Sequence, residues 1–318
     1  MTTSAMAREI AEVPHACARL LSGAPDAAIR AAAAALRTHD PDTLVTVGRG
    51  SSDHAATWLS YACGMISGVI PASYPLSLAS LHGQAPRANR AAAFAISQSG
   101  ASPDIVAAAR ALAAGGATLV VLTNTPESPL AALPARCVDI AAGPERAVAA
   151  TKSYVASVVA GLCVLGHWHG RRDLLDAIAA LPDALGRPAG TGDLVRRLTQ
   201  ADRLVVLGRG PSLGLAQEVA LKAMELCQIP AQAFSAAEVQ HGPMQALRDG
   251  FPVLDLAGGA ALPGTDTFRP PPRGASLHPL LNPLLDAVPL YVALEAAARA
   301  RGLDPDAPDR LTKETRTR

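Results

Sequence analysis

Apolar residues are arranged along the chain in two alternating ways, as short continuous runs and as longer stretches with helical periodicity. The runs at 44–47, 91–96, 118–123 and 204–207 are short and end at glycine or polar residues, which indicates buried strands. Stretches rich in Ala and Leu lie between them, with the length and period of helices. Strands that alternate with helices in this way predict a doubly wound parallel α/β fold.

One strand and turn occur twice. The motif L-V-T-V-G-R-G-S-S begins at residue 44, and L-V-V-L-G-R-G-P-S begins at residue 204, an offset of 160. Each copy places a buried strand, a G-R-G turn and a helix in the same order, which indicates an internal duplication. We therefore expect an N-terminal helical arm at 1–25 and two domains of one fold, at 26–185 and 195–318.

Two stretches rich in proline and glycine interrupt the regular pattern. Residues 187–192 are predicted to join the two copies. Residues 260–276 contain the run Pro270-Pro271-Pro272 and show neither helical nor strand periodicity. Either the second copy is trimmed here or the segment crosses it as an irregular loop. Regular periodicity returns in a helix predicted at 283–300.

A helix predicted at 213–227 carries its charges in one narrow line. Glu218, Lys222 and Glu225 share one helical face, whereas most other positions are apolar. Two carboxylates around an ammonium on an otherwise buried helix have environment-sensitive protonation, as acid/base chemistry requires. A solvated row of salt bridges is an equally supported interpretation of the stripe alone. His241, 16 residues beyond Glu225, adds an imidazole, a side chain able to move a proton.

A second candidate site follows the strand predicted at 91–96, where residues 97–103 read S-Q-S-G-A-S-P. Proline is favoured at the first position of a helix, so this segment is predicted to lead into one. Hydroxyls and unpaired backbone amides at a helix start favour an anion such as phosphate. The alternative is that these residues only form a turn and a helix cap.

Composition narrows the possible functions. Hydrophobic residues make up 49% and charged residues 17% of the chain, which is ordinary for a globular protein with two cores. The net charge is +1 and basic residues are not clustered, which argues against nucleic-acid and membrane-surface partners. The longest apolar run, 154–166, is too short to cross a bilayer, and no signal-peptide pattern opens the chain. We therefore expect a cytoplasmic protein with a small ligand.

The five cysteines are isolated in apolar surroundings, and none belongs to a C-x-x-C pair. They are expected to be reduced core residues. No group of residues has metal-ligand spacing, so neither a metal nor an organic cofactor is predicted.

The motifs together resemble the double sugar-isomerase-domain (SIS) phosphosugar enzymes, which include the isomerase half of glucosamine-6-phosphate synthase. The resemblance is carried by E-V-A-L-K-A-M-E at 218–225, E-V-Q-H-G-P at 238–243, S-Q-S-G-A-S at 97–102 and A-G-P-E-R-A-V-A-A-T-K at 142–152. It extends over nearly the whole chain. It implies two flavodoxin-like, three-layer αβα domains and a sugar-phosphate substrate.

The resemblance also implies the residues that contact the substrate. In the family the S-Q-S-G-x-S loop holds the sugar phosphate, and a serine after the first G-R-G turn and two residues of the A-G-P-E motif line the same pocket. A C-terminal lysine folds over the active site, and the H-G-P histidine reaches the sugar from the neighbouring subunit, which implies a homodimer with shared active sites. The matching residues are Ser97, Gln98, Ser99, Ser102, Ser52, Val148, Thr151, Lys313 and His241.

The synthase begins with a glutamine-hydrolysing domain, whereas this sequence starts M-T-T and has its first strand predicted at 44–47. We therefore expect no production of ammonia from glutamine. The favoured hypothesis is the release of ammonia from an amino-sugar 6-phosphate such as glucosamine 6-phosphate. The alternatives are an aldose–ketose phosphosugar isomerase, a fructosamine-6-phosphate deglycase and a non-catalytic regulator that binds a sugar phosphate.

For this reaction the expected roles follow from the available groups. Glu225 carries a proton between carbons 2 and 1, and His241 assists ring opening. Lys222 and Lys313 stabilise the negative charge on the enolamine oxygen. Glu218 orients Lys222 or the attacking water.

Overall fold

The computed structural model describes residues 3–186, 190–259 and 261–313. These residues form two compact units, each built around one parallel β-sheet. The first-sheet unit comprises residues 14–145 and 152–182, and the second-sheet unit comprises residues 3–13, 146–151 and 183–313 with the gaps just given. Part of the predicted connection between the copies, residues 187–189, lies outside the described ranges.

The first half of the chain alternates helices with five parallel strands. In chain order its elements are α1 (Ala5–Ala11), α2 (Val13–Leu20), α3 (Gly23–His39), β1 (Thr43–Val47), α4 (Ser51–Ser67), β2 (Ile70–Ser73), α5 (Ser77–Ser80), β3 (Ala91–Ser97), α6 (Pro103–Ala114), β4 (Thr118–Thr123), β5 (Arg136–Asp139), α7 (Lys152–Trp168), α8 (Arg172–Ala179) and α9 (Leu181–Ala184).

The second half repeats the alternation with fewer regular elements. Its elements are α10 (Gly192–Gln200), β6 (Leu204–Gly208), α11 (Ser212–Cys227), β7 (Ala231–Ser235), β8 (Pro252–Asp255), β9 (Asp266–Phe268) and α12 (Ala287–Ala300), with 3₁₀ turns at Glu238–His241, Pro243–Ala246 and Asn282–Asp286.

The first sheet has the strand order β2-β1-β3-β4-β5, and every pairing is parallel. This is the flavodoxin-like order, in which β1 and β3 lie side by side at the topological switch point. All residues of β3 are buried, which explains why its sequence is one continuous apolar run. Helix α7 is apolar nearly all round because it is buried against α3 and α4.

The second sheet has the order β7-β6-β8-β9, which is the first order without its last strand. The predicted doubly wound parallel α/β fold is thus confirmed. Strand β7 was not predicted, because A-Q-A-F-S lacks an apolar run and lies at the partly exposed edge. Residues 260–276 retain only the short strand β9 and are otherwise irregular where described, so the second copy is both trimmed and crossed by a loop.

The repeated glycine before each helix has a steric cause. A Cβ atom on Gly208 would lie 2.5 Å from Cα of Leu213, and one on Gly48 would lie 2.8 Å from the backbone nitrogen of Asp53. Both distances are too short for any side chain, so the strand can fold back onto the helix start only at glycine. Across the residues that the structure describes, no helix is both long and apolar enough to cross a membrane.

Candidate active site

Helix α11 brings its three charged residues into direct contact. Nζ of Lys222 lies 3.2 Å from Oε1 of Glu218 and 2.8 Å from Oε2 of Glu225. The side chains of Glu218 and Lys222 are 0% and 1% exposed, whereas that of Glu225 is 20% exposed. The interpretation of a solvated salt-bridge row is therefore wrong. The row is closed at Glu218 and open to solvent only at Glu225.

The protonation of Lys222 follows from these contacts. Burial by itself lowers the pKa of the Lys222 ammonium, but the carboxylates of Glu218 and Glu225 outweigh burial and raise the pKa above its ordinary 10.5. Lys222 is consequently charged at neutral pH, which suits it to stabilise negative charge and not to act as a base. From α12, the hydroxyl of Tyr291 donates to Oε1 of Glu218 at 3.4 Å and further fixes this carboxylate.

His241 lies outside the acid/base row, which is formed by Glu218, Lys222 and Glu225 of α11. It ends the 3₁₀ turn Glu238–His241 and is exposed. Within the described ranges, no hydrogen bond or ion pair links His241 to α11. The described part of one chain shows no direct polar contact between His241 and Glu225, so their joint action is a proposal about an assembly.

The segment 146–151 is fastened by contacts with the N-terminal helix and the C-terminal tail. The backbone amide of Ala147 donates to the buried carboxylate of Glu9, at 3.3 Å from Oε2. Nζ of Lys313 donates to the carbonyl oxygen of Ala147 at 2.7 Å. This segment carries Val148, which is half-buried, and Thr151, which is buried. The structure thus places Lys313 beside the segment that holds two of the predicted sugar contacts.

Glu9 and Asp306 were not predicted as functional residues. The carbonyl oxygen of Asp306 accepts a hydrogen bond from the amide of Val148 at 3.3 Å. Its carboxylate accepts bonds from the amides of Ala5 at 2.7 Å and Met6 at 2.8 Å, at the start of α1. The contacts of the Asp306 carboxylate join residues about 300 positions apart, and Glu9 lies 138 positions from Ala147, so no local pattern could reveal them. We interpret both residues as positioning residues for the segment 146–151.

The predicted phosphate loop, 97–102, connects β3 to α6. Gly100 has φ of +61°, and a Cβ there would lie 2.0 Å from Oγ of Ser128, so only glycine fits. The Ser97 hydroxyl oxygen accepts a hydrogen bond from the amide of Gly100 at 3.1 Å. The Ser99 hydroxyl oxygen accepts one at 3.3 Å from the amide two residues later. These bonds shape the loop around its backbone amides.

The remaining predicted contacts lie at the same edge of the first sheet. The hydroxyl of Ser102, directly before α6, makes no hydrogen bond within the part of the chain that is described. The carbonyl of Gln98 accepts from the amide of Asn124 at 3.1 Å, which fixes the loop against the residue after β4. Ser52 is the second residue of α4, which follows β1, and β1 is the neighbour of β3. Carboxyl ends of adjacent parallel strands meet at one edge, as a shared ligand site requires.

Arg49 adds a positive charge to this edge that was not predicted. Its Nε lies 2.9 Å from Oδ2 of Asp104, which is buried in the first turn of α6. The guanidinium itself is exposed, so an anion near the start of α6 can reach its remaining donors. The sequence feature that could have indicated this charge is the arginine of the G-R-G motif, because it occurs in both copies.

The cysteines form neither disulfides nor a metal site among the described residues. All five are free thiols, and four of them are buried, as expected of core residues. Among the residues with described positions, no three His, Cys, Asp or Glu side chains form a group able to hold a metal ion.

Comparisons with known proteins identify a family for both halves of the chain. The SIS domain family matches residues 39–165 and 197–259. The isomerizing glutamine–fructose-6-phosphate aminotransferase of Symbiobacterium thermophilum is 30% identical over a 358-residue alignment that covers 97% of this chain. The chain spans 58% of that relative's length and 56% of the corresponding Pyrobaculum aerophilum protein.

Solved structures extend the likeness to the whole chain. A candidate phosphosugar isomerase from Silicibacter pomeroyi is 40% identical, with a TM-score of 0.88 over 96% of this chain and 100% of its own. Glucosamine-6-phosphate deaminase from Thermotoga maritima has a TM-score of 0.80 at 20% identity, over 99% of this chain and 100% of its own, which shows a common fold. Both halves of the sequence match one family, as the duplicated strand and turn had indicated, and the protein belongs to the SIS domain family.

Proposed function

We propose that this protein converts glucosamine 6-phosphate, or a close epimer, and water into the ketose 6-phosphate and ammonia. The observation that carries the proposal is the row on α11, in which a buried, charged Lys222 lies between two carboxylates and only Glu225 reaches solvent. Such a row can move a proton and stabilise the negative charge that develops nearby. Membership of the SIS domain family and the 40% identity to a candidate phosphosugar isomerase support a sugar-phosphate substrate.

The reaction begins with the open-chain aldehyde, and His241 assists ring opening by moving a proton at the ring oxygen. Glu225 then removes the proton from carbon 2 and delivers a proton to carbon 1. Lys222 and Lys313 stabilise the negative charge on the oxygen of carbon 1 while the enolamine exists. That oxygen ends as a hydroxyl, and the amine at carbon 2 becomes an imine. Water adds to the imine, the carbon–nitrogen bond breaks, and ammonia and the ketose are released.

Glu218 has a positioning role in this scheme. Its side chain is 0% exposed and contacts Lys222 and Tyr291, so its surroundings favour the orientation of Lys222 over contact with attacking water. A non-catalytic regulator would need a phosphate loop but not a buried ion row, whose desolvation costs several kcal/mol per ion. This cost favours an enzyme over a regulator.

The plain isomerase and the deglycase would use the same residues as the deaminase. The products formed from a substrate panel distinguish these three activities.

We propose that the phosphate is bound by the loop 97–102. In a variant without turnover, Ser99→Ala combined with Ser102→Ala should weaken the binding of glucosamine 6-phosphate more than tenfold. The reason is that each hydrogen bond to a charged group contributes about 1.5–3 kcal/mol. Isothermal titration calorimetry measures the change. Ser77→Ala with Ser80→Ala in the same unit is the matched control and should leave the affinity unchanged. Equal affinities of the two double variants would place the phosphate elsewhere.

We further propose a two-fold symmetric homodimer in which Glu225 of one chain and His241 of the other serve one active site. This is supported by the exposed position of His241, which has no described hydrogen bond or ion pair with α11, and by Met224, which is 44% exposed beside Glu225. Inactive Glu225→Gln and inactive His241→Ala proteins, dissociated and reassembled together, should regain activity. The mixed dimer has one site with both defects and one site with neither. An inactive mixture that contains verified mixed dimers would show that both residues act within one chain.

A further inference from the structure

A cavity opens at the carboxyl edge of the second sheet, where β6 and β8 are neighbours. Its volume is about 460 Å³, which lies within the roughly 300–1,000 Å³ typical of small-molecule sites. Buried Ser212 and Asp255 lie among its lining residues, with residues 269–273 and parts of 279–286 around them. In the order β7-β6-β8-β9 this edge is the topological switch point, where ligands of doubly wound folds bind.

The cavity is separate from the acid/base row. Ser212 is the first residue of α11, and Glu225 follows 13 positions later (225 − 212). At about 1.5 Å per residue, the helix places these two residues roughly 20 Å apart. A ligand in the cavity therefore does not contact the proposed proton carrier.

Arg209 lines this cavity and is the counterpart of Arg49 in the first copy. Arg49 pairs with Asp104 of α6, but in the described residues after β8 no helix corresponds to α6. Arg209 therefore lacks the equivalent carboxylate. Its described side-chain contact is a hydrogen bond of 3.4 Å from Nη1 to Oγ of Ser235. The second copy thus has, at the same point of the motif, a guanidinium that is open to a ligand.

Two further arginines are fixed at the cavity by buried carboxylates. Nε and Nη2 of Arg269 donate to Oδ2 of Asp255 at 2.9 and 2.7 Å. Nε and Nη2 of Arg273 donate to the two carboxylate oxygens of Asp286 at 2.9 and 2.5 Å. A guanidinium has five N–H donors, and Nη1 of each arginine makes no hydrogen bond within the described ranges. The aspartates thus orient the arginines, and three arginines against two aspartates leave the lining with a net charge of +1.

The rest of the lining is mainly apolar and conformationally restricted. The irregular stretch after β9 forms part of the cavity lining, a role that its sequence pattern did not indicate. The positive end of the α11 dipole lies at the same edge and favours an anion. The apolar wall residues are Leu256, Pro270, Pro271, Pro272, Pro279 and Pro283.

We propose that this cavity is a second ligand site, which binds a small organic monophosphate. Arg209, Arg269 and Arg273 contact the phosphoryl group, because planar guanidinium groups bind phosphate through paired, charge-assisted hydrogen bonds. The proline wall packs against the organic part, since the cavity has room for much more than a phosphate ion. The second copy therefore has a binding task of its own, apart from the chemistry proposed for α11.

The test uses the full chain with Ser99→Ala and Ser102→Ala, so that the loop of the first copy contributes little to binding. Fructose 6-phosphate and inorganic phosphate are the probes, and isothermal titration calorimetry gives affinity and stoichiometry. We expect one site per chain, with fructose 6-phosphate bound more tightly than inorganic phosphate. Adding Arg209→Ala should weaken fructose 6-phosphate binding about tenfold or more, as expected for a lost charged hydrogen bond. Arg248→Ala, an exposed arginine outside the cavity lining, is the control and should leave the affinity unchanged.

Three results would overturn the proposal: no binding in the double-serine background, an affinity that Arg209→Ala leaves unchanged, or equal affinities for the two probes. Thermal unfolding of each variant shows whether it is folded. If Arg209→Ala fails to fold, Arg209→Lys replaces it, because lysine keeps the charge but lacks the planar pair of donors. A reduced affinity of that variant supports the site, and an unchanged affinity contradicts it.

Discussion

Glu225→Gln is expected to lower the turnover of glucosamine 6-phosphate about 100-fold or more, because the amide keeps the shape of the carboxylate but cannot accept the carbon 2 proton. Binding of the sugar phosphate should survive, since the proposed phosphate contacts are on the loop 97–102. Steady-state assays of ammonia release and calorimetric titration measure the two effects separately. Glu225 is the member of the α11 row with solvent access, so its substitution should be well tolerated by the fold.

The control for this substitution is Glu127→Gln, the same change at an exposed position of the first-sheet unit, which should keep full activity. A second readout follows the proton itself. In deuterium oxide, the active protein should exchange the carbon 2 hydrogen of glucosamine 6-phosphate, and Glu225→Gln should not. Undiminished exchange in the variant would identify another group as the base.

Lys222→Met should have the largest effect on stability, about 3–5 kcal/mol of unfolding free energy, because it leaves the buried Glu218 carboxylate without its ammonium. Glu218 is 0% exposed, so its carboxylate is not solvated by bulk water in place of this partner. Chemical unfolding at neutral pH, followed by circular dichroism, measures the loss.

A double variant separates the charge effect from the packing effect. Lys222→Met with Glu218→Gln removes both buried charges, so it should be more stable than Lys222→Met alone. A loss below about 1 kcal/mol in the single variant would mean that the row is hydrated in solution, as expected for an exposed ion pair. Equal stabilities of the single and double variants would show that the unpaired carboxylate is not the cause.

Sequence patterns predicted the features that depend on residues close together in the chain, namely the G-R-G turns and the charged line on α11. The G-R-G turns were visible because each needs glycine where the strand meets the helix start, as at Gly48 and Gly208. The line of charges on α11 was visible because helical periodicity places Glu218 and Glu225 on either side of Lys222. The resemblance to the SIS enzymes, confirmed by the family match, rests on the same segments.

Long-range contacts explain what the sequence could not show. Residues 146–151 are irregular, and α7 begins only at Lys152, which no local pattern in the sequence indicated. The reason is that the Glu145 carboxylate turns back to accept bonds from the amide of Ser153 at 3.1 Å and its hydroxyl at 2.6 Å. Similarly, the Glu9 carboxylate accepts a hydrogen bond from the amide of Ala147, more than 100 positions away, and no sequence periodicity connects these two residues.

The acid/base row was also undecided until its burial was known. The spacing of Glu218, Lys222 and Glu225 fits a solvated salt-bridge row and a buried one equally well. Burial depends on α12, whose Tyr291 contacts Glu218 from a position 73 residues later. The packing of α12 against α11 was therefore needed to show that the row is exposed to solvent only at Glu225.

The products formed from a panel of sugars test the proposed deaminase activity. The full chain is incubated separately with glucosamine 6-phosphate, its epimers, glucose 6-phosphate and fructosamine 6-phosphate, and ammonia and ketose 6-phosphate are quantified together. We expect equal amounts of ammonia and ketose from glucosamine 6-phosphate or one of its epimers, at a higher rate than any product from the other compounds. Ketose formed from glucose 6-phosphate without ammonia, free amine and sugar formed only from fructosamine 6-phosphate, or no product from any compound would contradict this expectation.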